Sequence, residues 1–188
     1  MRIVGGEWRG HPIEAPDGRD VTRPTTDRVR EAIMSMLLSA SGLSFEGMRA
    51  LDAFAGSGAM GLELLSRGAS WCTFVDLDRG ACARVRRNAA SLGAVPSRHA
   101  VVRGDAWRLA AGALPGGPFG LVVLDPPYAT EAARVEELVD ALAASGRISP
   151  GALVLYERDA QAPTISPEGA EVVRQKRYGK TAVDLLRL

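Results

Sequence analysis

A chain of 188 residues that is 46% hydrophobic and 24% charged has the size of one domain with a substantial core, and it is too apolar to stay a disordered coil. Its 23 basic and 22 acidic side chains leave a formal charge of +1, so bulk electrostatics make no case for a polyanionic partner; a local basic patch would have to meet one. Cys72 and Cys82 lack metal-ligand spacing and read as small buried or half-buried side chains, no apolar stretch approaches the ~20 residues of a bilayer span, and the start Met1-Arg2-Ile3-Val4-Gly5-Gly6 has no signal-peptide hydrophobic region.

The first 50 residues are punctuated by Gly5, Gly6, Gly10, Pro12, Pro16 and Gly18, the pattern of a hairpin or extended arm, which we take as residues 1–24. Everything from 25 to 188 is then a single domain. A helix begins after Pro24, with Thr25 or Thr26 as cap and Asp27 in the first turn; Val29, Ala32, Ile33, Met36 and Leu37 form its apolar stripe. From about residue 50, short apolar runs alternate with helical segments, the signature of a parallel sheet wrapped by helices. Strands are expected at 49–52, 72–76, 99–103, 121–125 and 153–157, with helices near 59–67, 79–92, 105–112 and 131–145. After Glu157 the period changes. Val172-Val173 and residues 182–186 read as two strands joined by a turn at Tyr178-Gly179-Lys180, an antiparallel hairpin at one sheet edge.

The chemistry-bearing motifs fall at successive strand ends. Residues 51–61 read strand, glycine-rich turn and helix start, with Asp52, Phe54, Gly56, Ser57 and Gly58 in the turn; the glycines allow positive φ and close approach of a ligand. The string also fits the dinucleotide fingerprint, so an NAD-dependent oxidoreductase is a rival. Asp52 discriminates, because that fingerprint stays apolar there, whereas an acid can bind the ammonium group of an amino-acid-like cofactor. Asp76, twenty residues after Gly56, can accept from both ribose hydroxyls. Gly104-Asp105-Ala106 follows the third strand, where Asp105 can cap a helix, accept from an adenine amine, or do both. Asp125-Pro126-Pro127-Tyr128 follows the fourth. Two prolines make that loop stiff and rich in carbonyls, so the Asp125 carboxylate and the Pro126 carbonyl can accept both hydrogens of an NH2 group beside the Tyr128 ring.

In order and spacing, these motifs resemble the S-adenosylmethionine-dependent methyltransferases that modify exocyclic amines. Two further stretches, residues 2–10 and 22–31, together with Tyr178-Gly179-Lys180-Thr181, are similar to the bacterial 16S ribosomal RNA guanine-N2 methyltransferase family of RsmD type, over nearly the whole chain. That family often has Glu where this chain has Asp76, a shorter carboxylate for the same work. The resemblance implies an α/β Rossmann-like class I methyltransferase fold with a mostly parallel seven-stranded sheet. It also implies methyl transfer from S-adenosyl-L-methionine to the 2-amino group of a guanine in 16S ribosomal RNA of the small subunit, by a cytoplasmic monomer without metal or membrane. Asp125, Pro126, Pro127 and Tyr128 would be the catalytic clamp. Asp52, Phe54, Gly56, Ser57, Gly58, Asp76, Asp105 and Ala106 would hold the cofactor, with Arg23 and Thr25 closing its methionine end.

For RNA phosphates the candidates are Arg9, Arg28 and Arg30 at the front and, in a denser cluster, Arg174, Lys176, Arg177 and Lys180 near the end. Six arginines face five acids in residues 1–30, so a solvated, internally paired face is an equal reading of the front group. Alternatives of other classes are an adenine-N6 methyltransferase acting on DNA or RNA, a protein glutamine-amide methyltransferase, and a non-catalytic S-adenosylmethionine-binding RNA chaperone.

Overall fold

The computed structural model describes residues 1–16, 27–112 and 114–188. Among them, α1 (Asp27–Ala40) precedes the alternating elements β1 (Arg49–Asp52), α2 (Ala59–Ser66), β2 (Trp71–Asp76), α3 (Arg79–Ser91), β3 (His99–Arg103), α4 (Ala106–Ala110), β4 (Phe119–Leu124), α5 (Ala132–Ala144) and β5 (Ile148–Asp159). The chain closes with β6 (Glu171–Tyr178) and β7 (Thr181–Arg187). One sheet runs β3-β2-β1-β4-β5-β7-β6. Strands β1 to β5 are parallel, and β7 lies antiparallel between β5 and the edge strand β6.

The apolar runs become strands buried on both faces because helices cover both. Side chains of β4 alternate between the layers, as the two-residue period of a strand requires. Leu121 and Val123 join Leu153, Leu155, Val183 and Leu185 under α1, α2 and α3, while Val122 and Leu124 join Val154, Tyr156 and Leu186 under α4 and α5. Each fully buried aliphatic side chain contributes roughly 1.5–3 kcal/mol. Several boundaries differ from expectation. β2 starts at Trp71, β4 runs from Phe119 to Leu124 and leaves Asp125 to the loop, and β5 starts at Ile148 and runs on to Asp159, where β7 pairs with it from Leu153 to Asp159.

In α1 the stripe is wider than its spacing suggests: Ile33, Met36 and Leu37 are buried as expected, Val29 and Ala32 only partly, while Met34 and Arg30 are buried as well. Asp27 stands in its first turn; the cap candidates Thr25 and Thr26 lie outside the described residues. The front segment is a hairpin whose Ile3, Trp8 and Ile13 enter the core. Ile3 N–H donates to the His11 carbonyl at 3.0 Å, and Ile13 N–H to that of Met1 at 3.0 Å.

What fastens this hairpin is the end of α2. Ser66 accepts from Glu7 N–H at its carbonyl (2.8 Å) and from Trp8 N–H at its hydroxyl (3.0 Å), and that hydroxyl donates to the Gly5 carbonyl (2.6 Å). One turn earlier the fully buried Glu63 carboxylate accepts from Val4 N–H at 2.6 Å and from Arg30 Nε at 3.2 Å. The Arg30 guanidinium also reaches Asp27 at 2.8 Å and the Arg2 carbonyl. Arg30 is therefore not a phosphate ligand, as the sequence suggested: at 1% exposure it donates to one oxygen of Glu63, whose other oxygen has Arg67 Nε at 3.5 Å. Removing Arg30 takes away the buried, hydrogen-bonded cation and leaves Glu63 only the longer Arg67 contact. Arg30→Ala should cost about 3–5 kcal/mol in urea unfolding. A loss below about 1 kcal/mol, the range of an exposed pair, would show that the pair does not hold the hairpin and helices together.

Candidate active site

β1 and β4 are neighbours, with Asp52 in register with Val123, yet the chain leaves β1 towards β2 and β4 towards β5. At such a reversal the loops part on opposite sides and open a crevice at the strands' carboxyl ends. The glycine turn fills one side of it. Gly56 and Gly58 have φ of +54° and +78°, which L side chains rarely adopt. A Cβ on Gly56 would meet nothing within 4 Å, so the turn presents bare backbone to the crevice. Gly61 serves packing instead, since a Cβ there would lie 2.3 Å from Phe74 as α2 crosses β2.

Carboxylates ring the crevice. Asp52 is 3% exposed and accepts from Gly61 N–H at 3.1 Å. Burial pushes its carboxyl up to about 7; the Gly61 hydrogen bond opposes this and the nearby Asp125 and Asp76 charges add to it. Asp76 holds the turn by accepting from Gly56 N–H at 2.8 Å with one oxygen and from Asp78 N–H at 2.9 Å with the other. Asp105 caps α4 by accepting from Trp107 N–H at 3.0 Å, and it also lines the crevice.

Two cavities make up the crevice. The larger, about 750 Å³, is lined by Phe54, Gly56, Asp76, Asp105, Ala106, Asp125, Pro126 and Pro127 among others. The smaller, about 140 Å³, is lined by Asp52, Phe54, Gly56, Ser57, Asp125 and Glu157, with Met1 and Pro16 from the hairpin. Asp125, Phe54, Gly56 and Pro16 belong to both. Pro126 is buried and Pro127 exposed, and Thr130 N–H donates to the Pro127 carbonyl at 2.8 Å to close the turn. Tyr128 is not brought into either cavity: it is 49% exposed and lines a separate recess with Tyr156 and Arg158. Gly58 caps α2 beneath the turn and lines neither cavity. Arg23 and Thr25 lie outside the described residues.

Sequence reasoning missed one wall of the larger cavity. Trp107 packs on Phe54 with ring centroids 5.2 Å apart, donates from Nε1 to the Arg134 carbonyl at 2.8 Å, and lies under the Arg134 guanidinium at 4.7 Å. An aromatic directly after Gly-Asp-Ala is a usable signal for a ring-stacking surface; Arg134, from α5, offers none. Glu157 and Pro16 were missed too. Of the phosphate candidates, Arg9 and Arg28 are exposed and border a cavity that Asp27 and Glu31 also line. Arg174, Lys176, Arg177 and Lys180 are exposed along β6 and its turn. Burial pushes the Cys72 thiol well up and, together with the Asp76 charge, raises Cys82, so neither is a poised thiolate.

A family model described as conserved hypothetical protein 95 matches residues 1–187. The chain belongs to this family. It is the RsmD type that the front signature resembles, and its members here are S-adenosylmethionine-dependent methyltransferases. Escherichia coli ribosomal RNA small subunit methyltransferase D is 36% identical over 187 residues, which cover 98% of this chain and 88% of that protein. The protein of the same name from Haemophilus influenzae is 30% identical over 179 residues, covering 95% and 89%. The solved structure of the Escherichia coli protein yhhF superposes with a TM-score of 0.82 at 33% identity, covering 100% of this chain and 97% of that one. The fold of this methyltransferase is thus the Rossmann-like class I form, mostly parallel with an antiparallel closing hairpin.

The Asp52 carboxyl titrates at about 7 when folded against 3.8 for an ordinary carboxyl, so folding of the ligand-free methyltransferase takes up a proton between those values. Its contribution to stability is complete below the lower value and lost as pH rises through the upper one. Asp52→Asn should therefore raise the urea midpoint of the ligand-free protein at pH 8. The advantage should shrink steadily on acidification from pH 7 towards 5. A difference constant over that range would show that Asp52 ionises normally.

Proposed function

We propose that this methyltransferase transfers the methyl group of S-adenosyl-L-methionine to the 2-amino group of a guanine in 16S ribosomal RNA of the small subunit, as a cytoplasmic monomer. The observation that carries the reading is Asp125 at the junction of the two cavities, beside the fixed Pro126 carbonyl. The relatives named ribosomal RNA small subunit methyltransferase D supply the substrate class.

The residues fit the cofactor part by part. Asp52, at the smaller cavity, is an acid whose ionisation costs so much that a ligand ammonium would be welcomed there. Each Asp76 oxygen spends one lone pair on a backbone N–H and has another for a ribose hydroxyl. Asp105 spends one oxygen on its cap, and the second, which has the exposed Arg108 at 4.0 Å, can accept from an adenine amine next to the Phe54–Trp107 wall on which a flat ring can lie. Gly56, Ser57 and Ala106 approach as backbone and small side chains.

The bound cofactor supplies a sulfonium methyl with a good leaving group. What the protein must then do is align an amine and answer its charge. Asp125 and the Pro126 carbonyl accept the two N–H groups, which turns the nitrogen lone pair out of the ring and towards the methyl. The same oxygens stabilise the positive charge that grows as the N–C bond forms, and Asp125 is placed to receive the proton the nitrogen sheds. Tyr128, half exposed at the outer side of the loop, offers its ring to a base arriving from solvent, a stacking contact of roughly 1–3 kcal/mol. Arg174, Lys176, Arg177 and Lys180 would grip the backbone of the RNA.

Tritiated S-adenosylmethionine, offered with naked 16S RNA, with small subunits and with DNA, should label RNA as N2-methylguanosine; N6-methyladenosine in the digest would overturn the reading. In that assay Asp125→Ala should lower turnover about 100-fold or more while cofactor affinity changes less than about threefold. Replacing Arg174 and Lys176 by Glu should weaken RNA binding and flatten its dependence on salt. Variant binding equal to the parent's at both low and high salt would remove β6 from the RNA site.

A further inference from the structure

Asn88, on α3, has no part in the residues nominated above, yet it is 1% exposed and uses every hydrogen-bonding atom of its amide. Nδ2 donates to the Ser57 carbonyl at 2.8 Å and to the Glu14 carbonyl at 3.1 Å, and Oδ1 accepts from Glu14 N–H at 2.7 Å. Two donors and one acceptor meet two carbonyls and one N–H, which fixes the amide's orientation chemically. The two partners belong to different parts of the chain. Ser57 is in the glycine turn and lines the smaller cavity; Glu14 is two residues before Pro16, which lines both. Met1 closes the same wall, with its sulfur 3.6 Å from the Ser57 hydroxyl and its carbonyl accepting from Ile13 N–H.

We infer that Asn88 is a positioning residue for the cofactor: it sets the Ser57 peptide and the Glu14–Pro16 stretch in one fixed relation, so that the front hairpin is a working wall of the methionine cavity. The tie must come from a buried amide because both partners are backbone. A carboxylate would oppose two carbonyls, and an apolar side chain would strand the buried Ser57 carbonyl together with the part-buried N–H and carbonyl of Glu14. The neighbouring Arg87–Glu14 ion pair, at 2.7 Å, spans the same two elements from outside. Both of its side chains are about half exposed, so water competes for it and it cannot replace the amide.

The test reads binding of S-adenosylhomocysteine by calorimetry, which needs no RNA and so stands or falls apart from the substrate reading. Asn88→Asp and Asn88→Ala should each weaken that binding about tenfold or more, whereas Arg87→Ala stays within about twofold of the parent. With RNA substrate, the KM for S-adenosylmethionine should rise in parallel, while kcat at saturating cofactor and the KM for RNA stay within about threefold. Pro16→Gly probes the wall without touching Asn88, serves if the Asn88 variants fail to fold, and should weaken binding in the same direction. Affinity within twofold of the parent in the folded Asn88 variants, or in Pro16→Gly, overturns the inference, even if melting temperatures fall.

Discussion

A carboxylate without access to water must find its hydrogen bonds and its counter-charge inside the protein, and Glu63 imposes that demand on three segments at once. The front hairpin answers with the Val4 N–H, α1 with Arg30, and α2 carries the acid itself. The three segments thus meet at one buried charge, and Ile3, Trp8 and Ile13 of the hairpin share the core under α1, α2 and α3. Met1 and Pro16 of the front segment line the smaller cavity beside the glycine turn, and Arg30 lines it too. The wall proposed for the cofactor is in this sense joined to the same buried ion pair.

Asp52 is the complementary case. Where Glu63 has two cations and a backbone N–H about it, Asp52 has one backbone N–H and two like charges as neighbours, and burial pushes its carboxyl up to about 7. A protein that folds around such a group carries an unmet demand for a cation. The demand lies where Gly56 has cleared the space, and in the proposed reading an amino-acid-like ligand would bring both an ammonium and a carboxylate to that spot. Stability given up at Asp52 would then reappear as affinity at the same residue.

Much of this was legible in the residues, and the exceptions share a cause. Strands β1 and β3 fall at their expected bounds because short apolar runs between glycine turns and caps admit few alternatives. The acids Asp52, Asp76 and Asp125 were findable because each directly follows such a run, and Asp105 because it follows one across Arg103-Gly104. Arg30 was not. In a helix that opens with Arg28 and Arg30 two residues apart, nothing marks the one that turns inward, since its partner is 33 residues away on another helix. Asn88 hides for the same reason, with partners 31 and 74 residues distant. Trp107 and Arg134 make one wall only after α4 and α5 pack together. Local periodicity and caps are written in neighbouring residues, whereas buried polar pairing is written in the topology.

The edge strand β6 has one more effect. Every residue from Glu171 to Arg177 is exposed, on both faces of the sheet, and Val172 and Val173 are among them, a run that could template pairing with another copy. The register slips between Val172 and Arg174, and Arg174, Lys176 and Arg177 follow without an acid between them. A bulge spoils the regular ladder that a second strand would need, and like charges repel an identical edge. The side chains proposed to grip an RNA backbone would thus double as a guard on an open sheet. Reversing all their signs together would keep the guard, and replacing them with neutral β-formers would remove it.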